Sequence, residues 1–163
     1  MKSGPPEQEP ARTHPPWIGE QDRHLFNEGT HQRLWQILGA HCDGQGVHFA
    51  VWAPAARRVS VVGDFNDWAA HAAPMTPAGE TGIWECYVPG IGEGALYKYR
   101  IESSDGTVPP LKADPVGFGS QHPPENASVV RDIRGYGWHD DAWMRERVHR
   151  NRREAPISIY EVH

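Results

Sequence analysis

Gly46-Val47-His48-Phe49-Ala50-Val51-Trp52-Ala53-Pro54, with Val59-Ser60-Val61-Val62-Gly63-Asp64-Phe65 close behind it, decides the fold. Val47, Phe49 and Val51 alternate with His48, Ala50 and Trp52, the period of a strand that turns one face inward. Pro54 stops the run because it has no N–H to give to a ladder. The second stretch runs into a turn at Asn66-Asp67, and a further strand is expected from Ile83 to Val88, between Gly82 and Pro89-Gly90. In Leu96-Tyr97-Lys98-Tyr99-Arg100-Ile101 the apolar set Tyr97, Tyr99 and Ile101 shares one face, and Lys98 and Arg100 share the other. Asp105-Gly106 makes a hairpin-type turn, and a weaker strand is expected around Ala127 to Arg131. Five or more short strands with no helices between them predict an antiparallel β-sandwich, not a parallel α/β sheet.

The flanks read differently. Residues 1–23 are rich in Pro, Glu and Gln and are expected to form a flexible tail. Leu34, Trp35, Ile37 and Leu38 recur at helical spacing, with Thr30 as a candidate N-cap and Gly39 as a candidate C-cap, which predicts one short helix. Beyond the sandwich, Asp140 or Asp141 can cap a charged helix from Ala142 to about Arg152, and Pro156 closes the linker. Ile157 to His163 then reads as the start of a strand at the very end of the chain. The expected organisation is a tail over 1–23, a sandwich with an N-terminal helix over 24–134, and a linker helix with one strand over 135–163. A chain of 163 residues cannot hold both a sandwich and a barrel of roughly 250 residues, so it reads as the front of something larger.

Bulk properties remove several function classes. A formal charge of −5 with Lys and Arg spread along the chain argues against nucleic acid as a partner. There is no apolar run long enough for a membrane span and no apolar core for a signal peptide, so the expected location is cytoplasmic. Cys42 and Cys86 have no C-x-x-C spacing and read as idle thiols. The ten histidines lack metal-ligand spacings, and no nucleophile elbow, P-loop or dinucleotide fingerprint occurs, so no metal, cofactor or catalytic residue is expected. Asp64 and Asp67 could be imagined as a glycosidase pair, but both flank a tight turn, where Asp is favoured for its bonds to nearby backbone.

The residues that suit binding are aromatic and polar. Trp52 and Trp84 lie within expected strands and read as core. Trp68 follows the turn Phe65-Asn66-Asp67, where an indole stands partly exposed. Such a ring can stack on the C–H face of a pyranose while Asn66 and Lys98 bond to its hydroxyls.

Several blocks together resemble the amino-terminal part of bacterial 1,4-α-glucan (glycogen) branching enzymes. They are His24-Leu25-Phe26-Asn27-Glu28-Gly29-Thr30-His31, Leu38-Gly39-Ala40-His41, Phe49-Ala50-Val51-Trp52-Ala53-Pro54, Val61-Val62-Gly63-Asp64-Phe65-Asn66, Leu96-Tyr97-Lys98-Tyr99, Lys112-Ala113-Asp114-Pro115, Ala127-Ser128-Val129-Val130 and Ile157 to His163. The resemblance implies a family 48 carbohydrate-binding module with an immunoglobulin-like antiparallel β-sandwich, followed, in the full protein, by a catalytic (β/α)8 barrel of the α-amylase superfamily. By the same resemblance, Ile157 to His163 is the barrel's first strand, and the barrel in cis is the module's partner. The implied parent activity moves an α-1,4-glucan segment onto a 6-hydroxyl by a retaining mechanism, with carboxylates downstream of His163. This chain alone is therefore expected to be inactive. Trp68 and Lys98 match sugar-binding positions of the module, while the stretch 106–114, where relatives place a second Trp, contains no aromatic residue, so weak binding of glycogen or another α-1,4-glucan is expected. The loop after Trp68, which usually reads D-G-R-x-H-P-M, here reads Ala69-Ala70-His71-Ala72-Ala73-Pro74-Met75. A free-standing α-glucan-binding module, or the front of a debranching enzyme, would share the fold.

Overall fold

The computed structural model describes residues 16–163, which divide into two units at Asp132/Ile133. In the first unit seven antiparallel strands form two sheets: β1 (Gly39–Cys42), β2 (Gly46–Trp52), β3 (Ala56–Gly63), β4 (Thr76–Pro77), β5 (Ile83–Pro89), β6 (Leu96–Ser103) and β7 (Ser128–Val129). One sheet has the order β1-β2-β5-β4 and the other β3-β6-β7. The chain is mainly β, in two antiparallel sheets with few helices, as the alternation predicts.

The alternating residues meet in the middle. Val47, Phe49 and Val51 of β2 pack with Val59 and Val61 of β3 and Tyr97 and Tyr99 of β6, in one core that also takes in Ala40, Met75 and Val130. Phe49 sits edge-on to Tyr97 with ring centroids 4.9 Å apart. Both tyrosines are fully buried, and each hydroxyl donates to Asp114 Oδ2, at 2.8 Å from Tyr97 and 3.1 Å from Tyr99. Asp114 in turn accepts the Val116 N–H, while its own N–H donates to Ser128 Oγ. A buried polar cluster satisfied in this way ties the loop before β7 to the interior. Burial raises the Asp114 carboxyl above its ordinary value against the lowering effect of these donors.

The outer face of the four-stranded sheet is buried as well. Ala50 and Ile83 point outward into a second core with Ile18, Ile37, Leu38 and Ala78. The N-terminal segment supplies the cover. Ile18 is fully buried, and its N–H donates to Glu85 Oε2 at 2.9 Å. Trp17 stacks on His48 and His41, centroids 4.5 and 5.2 Å away, and donates Nε1–H to the Ile37 carbonyl. His41, His48 and Tyr87 lie in one row across β1, β2 and β5, so the indole spans two strands. The expectation of a tail through residue 23 is corrected here. Residues 1–15 lie outside the described residues, but 17 and 18 are part of the fold, and α1 (Glu20–Asn27) begins at Glu20.

Two other expectations change. No helix spans 30–39: Leu34–Gln36 is a single 3-10 turn, and Gly39 opens β1 with φ +99. Thr30 does not cap a helix start; its hydroxyl donates to the Leu25 carbonyl at the end of α1. Ile157 to His163 is in no ladder among the described residues, since a strand takes its state from a pairing neighbour. Of the second unit, α2 (Asp141–Arg150) is exposed along its length and holds an Arg150 to Glu146 ion pair at i,i+4.

The sheet edges are short or guarded. β3 is flanked by residues 73–75, with Val61 N–H donating to Ala73 O, Met75 N–H to Val59 O, and Ser60 bridged to Pro74. The edge strand β4 contains Pro77, and the two-residue β7 is bridged to Ser120.

Candidate functional site

The turn after β3 is built by its own side chains. Gly63 leads into a 3-10 turn over Asp64–Asn66. Asn66 Oδ1 accepts the Gly63 N–H at 2.9 Å, and its Nδ2 donates to the Val61 carbonyl at 3.2 Å. Asp64 Oδ1 accepts the Leu96 N–H from β6, at 3.1 Å. Gly63 admits no side chain, because a Cβ there would lie 2.1 Å from the Leu96 carbonyl oxygen and 2.4 Å from the Phe65 ring.

Trp68 leaves this turn in an unusual conformation. Asp67 and Trp68 have φ 51 and 57, two consecutive non-glycine residues in the left-handed region. The Trp68 N–H donates back to the Gly63 carbonyl, and the Ala69 N–H to that of Asn66. The indole is 38% exposed, in the half-exposed position expected of it.

Strand register brings the cation to the same end. Val62 pairs with Lys98 and Gly63 with Tyr97, so Lys98 projects from the outer face of β6 next to the strand that feeds the turn. Lys98 Nζ donates to Asn126 Oδ1. Asn126 was not legible as a site residue: it sits in a loop 28 positions from its partner, with no local pattern to mark it. Lys98 and Asn126 thus offer a cation and an amide beside the strand that feeds the turn, and Trp68 offers a ring on the turn itself. Asn66, expected to contact sugar, has its amide committed to backbone on both sides and acts on the turn instead. In 106–114, where no aromatic stands, Val108 and Leu111 are exposed, at 40% and 38%.

The other sequence candidates go elsewhere. Trp84 is half-buried and donates Nε1–H to the Ala53 carbonyl, but Trp52, expected in the core, is 56% exposed at the end of β2, edge-on to Phe26. It lies in the outward-facing set of its strand, which the alternation alone could not distinguish from a buried one. The Cys86 thiol is pushed up to about 12 by burial. Among the described residues no group of His, Cys, Asp or Glu is arranged to hold a metal ion, and no helix is long and apolar enough to cross a membrane.

The family model of carbohydrate-binding module 48 (isoamylase N-terminal domain) matches residues 37–117. The 1,4-alpha-glucan branching enzyme GlgB of Jannaschia sp. (strain CCS1) is 60% identical over 146 residues, covering 90% of this chain and 20% of that protein. GlgB of Roseobacter denitrificans is 56% identical over 152 residues, covering 91% and 21%. Among solved structures, Klebsiella pneumoniae pullulanase complexed with maltotriose aligns with a TM-score of 0.48 and 30% identity, over 58% of this chain and 9% of that one. The chain spans about a fifth of the length of the curated relatives it matches. Residues 37–117 are a carbohydrate-binding module of family 48, and the chain belongs with the amino-terminal region of the 1,4-α-glucan branching enzymes.

Proposed function

We propose that this chain is the accessory segment of a glycogen branching enzyme, a weak binder of α-1,4-glucan that works in cis with a catalytic barrel. The single observation that carries the binding reading is the half-exposed Trp68 at the same end of the sandwich as Lys98. An indole face matches the C–H face of a glucose ring, and an ammonium and an amide match its hydroxyls. Binding is weak because Val108 and Leu111 offer aliphatic surface where a second ring would stack. The parent activity, transfer of an α-1,4 segment to a 6-hydroxyl, needs a carboxylate nucleophile and a carboxylic acid. Asp64 and Asp67 do not read as such a pair: Asp64 is tied to the Leu96 N–H, and Asp67 follows it within the same turn. The module acts in the cytoplasm, as the absence of a C-x-x-C spacing and of an apolar leader core in the sequence suggests.

Affinity electrophoresis in gels containing glycogen tests the binding. The chain is expected to be retarded, and Trp68→Ala to migrate as in a glycogen-free gel; equal retardation of both forms would remove Trp68 from the site. Amylose branching, followed by the shift in iodine absorbance, is expected to be absent from the 163-residue chain. Any branching by it would refute the accessory role.

A further inference from the structure

The left-handed pair at Asp67 and Trp68 is the most strained backbone among the described residues, and it coincides with the one turn that carries the candidate sugar platform. Asp tolerates this region, because its short side chain can bond locally. A bulky aromatic residue does not, and such conformations persist only where the surroundings over-determine them. The surroundings here are specific. The Trp68 N–H is held by the Gly63 carbonyl, and the Gly63 N–H is held by Asn66 Oδ1. Asn66 Nδ2 reaches back to Val61, the strand residue two places before Gly63. One amide therefore fixes the strand end from Val61 to Gly63, and the Gly63 carbonyl in turn holds the Trp68 N–H.

We propose that Asn66 is a positioning residue for glucan binding, holding Trp68 in a strained left-handed conformation that aims its indole at the sugar. This rests on the reading of Trp68 as the stacking ring. Asn66 touches the backbone and acts through Trp68. The strain is a stability cost retained for orientation, so glycine at 68 fits the backbone better than any side chain does.

The chain labelled with 5-fluorotryptophan tests this. Its seven tryptophans give seven fluorine resonances, and that of Trp68 is assigned by its loss in Trp68→Ala. In Asn66→Ala the Trp68 resonance is expected to shift and broaden while the other six hold, and maltoheptaose affinity to fall about tenfold. Asn66→Asp, which keeps the acceptor for the Gly63 N–H, is expected to recover part of that loss. An unmoved Trp68 resonance with unchanged affinity overturns the proposal, as does a shift of all seven resonances, which would mark a general loss of structure. If the wild-type chain fails to bind maltoheptaose, the sugar-binding reading falls as well. If the wild type binds, Trp68→Ala does not, and Asn66→Ala still does, only the positioning role falls. A second measurement needs no sugar and no folded Asn66 variant. Trp68→Gly is expected to be more stable than Trp68→Ala by about fivefold in the folding equilibrium in urea, and equal or lower stability overturns the strain.

Discussion

The two sheets share one interior but differ on their outer faces. On the four-stranded sheet Ala50 and Ile83 point outward, and Ile18, Ile37 and Leu38 cover them, so β2 is buried on both faces except at Trp52. On the three-stranded sheet the outward row is Arg58, Ser60 and Val62 of β3 with Lys98, Arg100 and Glu102 of β6, and the turn with Trp68 follows at its end; Arg58 Nε pairs with Glu102 at 2.6 Å, while Ser60 and Val62 are buried. One face is apolar and closed by the chain itself. The other is mostly charged and only partly covered, chiefly at Ser60 and Val62. Recognition is therefore expected on the second face, and stability is expected to depend more on the first.

Mutations can break or sharpen that contrast. The largest effect is expected from Ile18→Ala, which removes a fully buried side chain from the cover and should cost about 3 kcal/mol in urea denaturation. Its glycogen retardation at low temperature should be unchanged; a loss would mean that the two faces are coupled. Trp68→Ala is expected to reverse the pattern, with loss of retardation and a cost of only about 1 kcal/mol, because the ring is 38% exposed and the strained backbone stays.

Two smaller effects are electrostatic. Burial raises the Glu85 carboxyl above its ordinary value near 4.5, against the lowering pull of the Ile18 and Trp17 N–H groups. A raised carboxyl favours folding when protonated, so its contribution is complete below the ordinary value and is lost as pH climbs through the folded value. In a denaturation series against pH, Glu85→Gln should abolish that slope; an unchanged slope would mean that the cover tolerates the charge. Glu102 is the opposite case. Hydrogen bonds from Arg58 and Arg57 hold it down at about 2, so its contribution is present above 4.5 and is lost as pH falls from there towards 2. Glu102→Gln should flatten this acid limb slightly, since exposed ion pairs contribute little.

The inner faces were legible in the sequence because Val47, Phe49 and Val51, or Tyr97, Tyr99 and Ile101, repeat with the period of a strand. The exposed position of Trp68 was legible too, from the turn residues around it. The cover was not. Trp17 and Ile18 are two apolar residues in a proline-rich segment, and nothing local says that Ile18 will find Glu85, 67 positions on. Leu34, Trp35, Ile37 and Leu38 do have helical spacing, but Ile37 and Leu38 are drawn into the second core and Gly39 pairs with Ala50, so tertiary contacts override the period. Gly39-Ala40-His41-Cys42 becomes a strand only because β2 is beside it. In the site, Asn66 was legible as part of the turn but not as its clamp, since that role depends on hydrogen bonds and not on residue type.

Pro74 bridged to Ser60, and Pro77 within β4, occupy places where a bare strand would recruit a neighbour. Proline withholds the amide hydrogen that an incoming chain would need, which makes these borders poor templates for another polypeptide. Copies of this module crowded together should therefore remain separate bodies and not be stitched into one another through their sheets.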